Sequence, residues 1–379
     1  MTRVAVVGGG QLARMMAPAA TAMGVTLRVL VESAEASAAL AAHETVIGLP
    51  GDPDAVKALL AEPRPDVITW EHEHIPAEVF ALAAESGVAA RPAESALLFA
   101  RDKIAMRERL DLLGLPMPSW RAVETEDEVE AFLAVHGGVG VLKTSMGGYD
   151  GKGVRIVRNP ADADEWLAAA ADGGPPLLIE EKVAYDREVA IQVARRPSGD
   201  LRFWPLVESI QTDGVCAEVI APAPGLSPAI QAEAERIARL VATDLEVTGV
   251  LAVEMFEVGG RLLINELAMR PHNSGHWSIE GSVTSQFEQH LRAVLDWPLG
   301  ATAPLAPVTV MANVLGGARE DLATAWPGVT DPGVKVHLYG KGVRAGRKVG
   351  HVTCMGENVD DVRRRAAEAA AWIRDGGVA

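Results

Sequence analysis

Two apolar runs, GVLAVEMFEV from Gly249 and RLLINELA from Arg261, are separated only by Gly259-Gly260. Rich in aliphatic residues and joined by a short glycine turn, they predict a β-hairpin. Each run carries polar residues among its apolar ones, Glu254 in the first and Asn265-Glu266 in the second. A carboxylate inside such a strand is costly unless something pairs with it, and a divalent cation is a natural partner. A tight two-residue turn sets Asn265 opposite Glu254, whereas a three-residue loop with a glycine bulge brings Glu254 and Glu266 onto one face. Both registers stay open, as does a solvent-facing Glu254 at a strand edge. Arg270, His272, Asn273, Ser274 and His276 follow directly, and a cluster this polar after buried strands reads as the wall of a site.

A chain of 379 residues predicts two or three domains with material for buried cores. A net charge of -16 argues against a general nucleic-acid binder, because no basic surplus exists to neutralise phosphates. The two cysteines, Cys216 and Cys354, form no CxxC pair and predict inert thiols in a reducing compartment. The start MTRVAVVGGG has no charged leader with an apolar core, and no apolar run approaches membrane-spanning length. The expectation is a soluble, cytoplasmic protein.

In chain order, Arg3 to Val7 predicts a buried strand leading into Gly8-Gly9-Gly10, then a helix to Met23 and a second strand, Thr26 to Val31. Gly8, Gly10 and Ala13 fit GxGxxA in this βαβ unit, with Glu32 where a ribose-binding acid would sit. A nicotinamide-dependent dehydrogenase is the obvious reading, and a structural tight turn is the plain one. What the motif itself implies is backbone amides at a helix N-terminus facing an anion or packing closely. The strand Asp66 to Trp70 ends in Glu71-His72-Glu73-His74, at the strand end where α/β sheets bind ligands. Alternation sends neighbouring side chains to opposite faces, so these four make a poor metal site, and Glu73 is expected to contact ligand hydroxyls.

A helix over Ala100 to Gly114, then Pro116 and Pro118, marks a boundary. Beyond it, Val139 to Lys143 and Val154 to Val157 predict strands joined by a loop with four glycines, TSMGGYDGKG. Backbone amides of such a flap can close over phosphates, with Lys143 as a point charge; a long flexible turn is the bland alternative. The spacing is not GxxxxGK[ST], so a P-loop is excluded. The strand LLIEEKV from Leu177 offers an extended edge to an adenine, and Arg187 to Arg195 and Phe203 to Glu208 predict strands of a large antiparallel sheet. A helix over Pro228 to Asp244 precedes the hairpin.

The flap KTSMGGYDGKG, the strand end EEKV, DREVAIQVAR, VEMF paired with INELAMRPHNSGHW, and SQFEQHLRA together resemble ATP-grasp ligases. GGGQLARMM, TWEHEHIP and YGKGVRAGRKVGHV narrow the resemblance to the N5-carboxyaminoimidazole ribonucleotide synthetases of purine biosynthesis, over nearly the whole chain from Val4 to His351. The resemblance implies an α/β chain with an ATP-grasp fold. Residues 1–98 would form a Rossmann-like domain and 99–303 the ATP-grasp region, its mobile lid at about 119–183 and core at 184–303; 304–379 would form a small C-terminal subdomain.

It further implies ATP-dependent formation of carboxyphosphate from bicarbonate, then carboxyl transfer, directly or as trapped carbon dioxide, to 5-aminoimidazole ribonucleotide. Magnesium (manganese as a substitute) would sit on Glu254 and Glu266. ATP would be held by Arg101, Lys143, Gly148, Tyr149, Asp150, Gly151, Lys152, Gly153, Val154, Glu180, Glu181, Lys182, Val183, Glu188, Gln211, Asn265 and Glu266. Arg270, His272 and Asn273, with Asp150 and Lys341, would serve the reacting carboxyl group. The ribonucleotide would take Gly10, Gln11 and Leu12 for its phosphate, with Glu73, Tyr149, Lys152, Arg187, Lys341, Arg347 and Lys348 around it. A homodimer is expected, with no nucleic-acid or membrane partner. Ala13, Met269 and Gln211 stand where the family commonly has Gly, Pro and His; Gln211 can hydrogen-bond but cannot carry charge. Another ATP-grasp carboxylate-amine ligase and a non-catalytic nucleotide sensor remain open beside the dehydrogenase.

Overall fold

The computed structural model describes residues 1–148, 153–212 and 214–376, arranged on three sheets. The first is parallel and five-stranded, in the order Glu44–Ile47, Thr26–Val31, Arg3–Val7, Val67–Trp70, Ala89–Ala90. Its central strand is buried along its whole length, which is why it reads as an unbroken apolar run. Val7 pairs with Trp70, so the chain leaves the sheet at Gly8 and at Glu71 side by side.

The single helix expected over Ala100 to Gly114 is two helices, Glu94–Arg101 and Lys103–Leu112. Asp102 between them is extended, and its carboxylate accepts from the amides of Ile104 and Ala105. An aspartate that satisfies two orphan amides is a better helix start than a helix interior.

The second sheet is antiparallel, ordered Trp120–Val123, Leu177–Glu181, Gly140–Thr144, Val154–Val157. The helix Glu126–Val135 begins at a capping box of Thr125 and Glu128 and buries Val129, Phe132 and Leu133 against it. Of the flap, Tyr149, Asp150, Gly151 and Lys152 lie outside the described residues.

The third sheet has nine strands. Eight run Arg261–Ala268, Gly249–Val258, Arg187–Arg195, Val207–Thr212, Val215–Ala221, Val308–Leu315, Lys348–Gly356, Lys335–Leu338, and Leu201–Phe203 pairs beside Arg187–Arg195. The strand expected over Phe203 to Glu208 is therefore split at Trp204, Pro205 and Leu206, since Pro205 has no N–H to give a ladder. The last three strands continue the hairpin's own sheet through the pairing of Val215–Ala221 with Val308–Leu315, which brings the basic segment 341–348 towards the hairpin. The helix Pro228–Asp244 packs Ile237 and Val241 in one core with Val189, Ile191 and Val193. On the opposite face of those strands Ala190 and Ala194 pack in another core, and the same face carries Glu188 and, on the paired strand, Glu254. No helix among the described residues is long and apolar enough to cross a membrane.

Three buried histidines tie these layers together. His290 accepts from the Val250 amide at 3.1 Å and meets Thr69 Oγ1 at 2.9 Å, His276 Nδ1 lies 2.9 Å from Gln286 Nε2, and His351 Nδ1 lies 2.7 Å from Tyr339 Oη. Burial pushes His290 down to about 3 and His276 and His351 well below the usual range. The unfolded chain takes up protons on them near pH 6.5 and the folded chain does not. Their contribution to stability is thus complete above about pH 6.5 and is lost below it, by up to about 1.4 kcal/mol per pH unit for each. Urea unfolding at about pH 7.5 and about pH 5.5 should show a lower midpoint at the acid value; coincident curves would refute the neutral assignment.

Candidate active site

The hairpin turns at Gly259 and Gly260 with φ of +54° and +75°, the doubly left-handed geometry of a two-residue turn. Val258 opposes Arg261, and the register runs evenly to Met255 opposite Ile264; it then shifts, so that Glu254 opposes Glu266. Asn265 is the extra residue of a β-bulge. Of the two expected registers, the structure keeps the tight turn of one and the paired acids of the other, because the bulge lies within the strand and not in the loop. Side-chain parity explains why. Leu262 and Ile264 point into the core beside Met255, as does Leu267 beside Val253. Only a skipped residue lets all three stay in the core while Glu266 turns to the other face with Glu254.

On that face the two carboxylates are driven apart in acidity. Around Glu266, which opens into the cleft, desolvation by the walls and the charge of Glu254 push its carboxyl above the usual range. Desolvation pushes Glu254 up as well, but His272, Lys348 and Arg270 overcome it and hold the carboxyl low. Lys103, which motif reasoning passed over, and Lys143 oppose the rise at Glu266. Two crowded carboxylates, one of them unfavourably charged, suit a divalent cation. Among the described residues no group of three His, Cys, Asp or Glu is placed to hold a metal. Two protein oxygens fit magnesium, which commonly takes one or two carboxylates and fills its octahedron with phosphate and water.

The polar wall is joined to this pair. His272 Nε2 lies 2.9 Å from Glu254 Oε1, and His272 Nδ1 lies 2.9 Å from Ser274 Oγ. The buried Gln286 holds the segment by accepting from the His272 amide and donating to the His272 carbonyl, each at 2.8 Å; Gln192 supports it from the sheet at 3.0 Å. Neither polar atom of the Asn273 side chain finds a partner among the described residues. Arg270 Nε pairs with Glu73 at 3.0 Å, so the residue expected at ligand hydroxyls is held beside the arginine expected at the carboxyl group.

Lys143 lies 2.7 Å from Glu180 Oε2 and 3.3 Å from Asn265 Oδ1. Glu180 is buried; its side chain is engaged within the fold and only its backbone could serve an adenine. The strand ends at Glu181, leaving Lys182 and Val183 just beyond the ladder, half-buried to exposed. Glu188 shares a face with Glu254 and accepts from Tyr185 Oη at 2.9 Å, and Tyr185 stacks on Phe256 at 4.7 Å. Burial raises the Tyr185 phenol to about 12, helped by Glu188. Gln211 sits at a bulge and donates to Ser209 Oγ at 2.9 Å. Arg101 lines a cleft with His74, Ile75, Pro76, Leu98, Asp102 and Met146. Arg187 is a correction. It lies on the other face of its strand from Glu188, and Glu257, Glu208 and the Pro224 carbonyl already engage its guanidinium at 2.7, 3.1 and 2.6 Å.

The helix Gln11–Ala22 corrects another expectation. Its N-terminal amides at Gly10 and Leu12 are taken by the carboxylate of Glu71, at 3.0 Å for Leu12, so Gln11 offers the remaining amide of the three. A Cβ on Gly10 would collide with that carboxylate, which accounts for the glycine without a dinucleotide. Lys341 reaches the same place and donates to Gln11 Oε1. Arg347 is exposed nearby in sequence, with a bond to the Gly342 carbonyl at 3.1 Å, and Lys348 lies within electrostatic range of Glu254.

Comparison with known proteins decides among the readings. Residues 1–101 match the ribonucleotide synthetase preATP-grasp domain, 108–287 the ATP-grasp domain, and 309–365 the phosphoribosylaminoimidazole carboxylase C-terminal domain. The N5-carboxyaminoimidazole ribonucleotide synthase of Corynebacterium ammoniagenes is 47% identical over 98% of this chain and 92% of its own. This chain belongs to the N5-carboxyaminoimidazole ribonucleotide synthase family. Within that family, the Thermus thermophilus synthetase superposes with a TM-score of 0.86 at 37% identity, covering 99% of each chain. The Aspergillus clavatus synthase, solved with ADP and 5-aminoimidazole ribonucleotide, gives 0.86 at 31% identity over 98% of each. The nicotinamide reading of the glycine turn is thereby overturned. For a synthase of this family, Lys103 and Gln286 are the site-building residues that motif reasoning missed. Glu71 was readable from its place at a strand end, whereas nothing local marks Gln286.

Proposed function

We propose that the chain carboxylates 5-aminoimidazole ribonucleotide to N5-carboxyaminoimidazole ribonucleotide, using ATP and bicarbonate and releasing ADP and phosphate, in purine biosynthesis. The observation that carries this reading is the bulged register that sets Glu254 opposite Glu266 while His272 bonds to Glu254. One carboxylate thereby belongs both to a cation site and to the wall where a carboxyl group would react. Family membership supports the same substrates.

Glu254 and Glu266 would hold magnesium, which supplies charge neutralisation on the β- and γ-phosphates. Lys143 and the flap residues from Gly148 to Val154 would cradle those phosphates, with Asn265 and Arg101 beside them. Glu188 would accept from the ATP ribose hydroxyls, the backbone of Glu180 to Val183 would meet the adenine, and Gln211 would add a neutral contact. A bicarbonate oxygen then attacks the γ-phosphorus as the bond to the ADP oxygen breaks. Arg270, with the unpartnered Asn273 amide, is suited to hold the resulting carboxyphosphate away from water. The exocyclic amine of the ribonucleotide takes the carboxyl carbon, phosphate leaves, and the amine loses a proton. Gln11, Lys341, Arg347 and Lys348 would hold the 5′-phosphate, and Glu73 a ribose hydroxyl. A cytoplasmic homodimer with three structural parts, 1–98, 99–303 and 304–379, completes the proposal.

Incubation with Mg-ATP, the ribonucleotide and isotopically labelled bicarbonate should place the label in a carbamate on the exocyclic nitrogen. ADP formed without labelled carbamate would point to another carboxylate-amine ligation.

A further inference from the structure

Among the described residues, Arg107 is the largest charged side chain that is fully buried, with no exposed surface. It lies in the helix Lys103–Leu112, outside every motif that marks the site. Its guanidinium makes three hydrogen bonds, each 2.8 Å long: Nε to Glu180 Oε1, Nη1 to the Ile264 carbonyl, and Nη2 to the Asn265 carbonyl. The two carbonyls belong to the bulge residue and the residue before it. The carboxylate is the one whose other oxygen takes Lys143.

The strand Arg261–Ala268 is the edge of its sheet, where the Ile264 amide already bonds the Pro116 carbonyl at 2.8 Å; its outward carbonyls, and those a β-bulge takes off the ladder, need donors from elsewhere. A planar guanidinium with a fixed fork of N–H groups meets two successive carbonyls and a carboxylate at once. Without that donor the even register is the alternative for the hairpin. It would turn Glu266 towards the face that holds Leu262 and Ile264, and Leu267 away from it. Arg107 also reaches the second sheet through Glu180, so it fixes the strand Leu177–Glu181 relative to the hairpin.

We propose that Arg107 is a positioning residue for the phosphoryl-transfer step. It pins the Asn265 bulge so that Glu254 and Glu266 share a face, and through Glu180 it holds Lys143 beside them. The inference rests on the reading of Glu254 and Glu266 as the magnesium pair. It concerns how that pair is held and adds no contact to substrate.

The test measures the magnesium concentration for half-maximal ADP formation and, independently of turnover, the binding of Mg-ADP by calorimetry. Arg107→Gln removes two of the three donors and should raise the magnesium requirement about tenfold, equivalent to about 1.4 kcal/mol, with kcat reduced. The Michaelis constant for the ribonucleotide should change less than about twofold, since no Arg107 bond faces that end of the cleft. Arg107→Lys, whose ammonium has three donors for three acceptors, should recover much of the loss. A merely structural arginine would lower the melting temperature of Arg107→Gln and leave the magnesium requirement untouched, and that result overturns the proposal. Glu180→Gln, which keeps the shape and both carbonyl bonds, guards against an insoluble variant. It should weaken ATP binding through Lys143 while shifting the magnesium requirement less than Arg107→Gln does. An equal shift would mean that Arg107 acts through Glu180 alone and would overturn the bulge assignment. Failure of the wild-type chain to form ADP with bicarbonate and the ribonucleotide would defeat the functional reading instead, and the calorimetric arm would still report on Arg107.

Discussion

Glu266→Gln is expected to lower ADP formation by about a thousandfold, the scale of losing a preorganised electrostatic contact to a transferring phosphoryl group. The change is isosteric and leaves the bulge intact, so the far-ultraviolet spectrum should match that of the parent. Its effect on stability should have the opposite sign from its effect on activity. In the absence of metal the fold disfavours the charged form of Glu266, because desolvation and the neighbouring Glu254 both raise its pKa. A neutral glutamine removes that repulsion. The variant should therefore melt no lower than the parent without magnesium, and magnesium with ADP should raise its melting temperature less. A variant with normal turnover would remove Glu266 from the metal site.

Lys341→Ala should raise the Michaelis constant for the ribonucleotide at least about tenfold, as loss of a charge-assisted contact of about 1.5–3 kcal/mol implies. The constant for ATP should change less than about twofold, because the contact of Lys341 with Gln11 lies at the start of the helix Gln11–Ala22 and not on the hairpin. The correction at the helix N-terminus sharpens this expectation. Glu71 occupies the amides of Gly10 and Leu12, so side-chain cations must carry more of the phosphate than a free N-terminus would require. An equal rise for both substrates would refute the assignment.

The hairpin shows how far the residues could be read. Its strands, its two-glycine turn and its acids were visible as a broken alternation, and the parity of Leu262, Ile264 and Leu267 already contains the bulge. What stabilises that bulge was not visible, because Arg107 lies 157 residues from Ile264 in the chain and in an ordinary helix pattern. The same limit hid Gln286 behind His272. Arg187 was misassigned for a local reason: beside Glu188 in sequence, it faces the other side of the strand, where Glu257 and Glu208 take it up. Asp102 was read as helix interior because the apolar pattern runs through it, although aspartate caps better than it propagates. Resemblance supplied the roles of the flap and the ligand assignments, which spacing alone left open between a phosphate cover and a long turn.

The measurement that tests the central claim most directly is ADP release with Mg-ATP and bicarbonate, with and without 5-aminoimidazole ribonucleotide. The account predicts release stimulated by the ribonucleotide, with one ADP formed for each carboxylated product. Release indifferent to the ribonucleotide, but stimulated by a different amine and carboxylate, would leave the ATP-grasp fold standing and contradict this substrate.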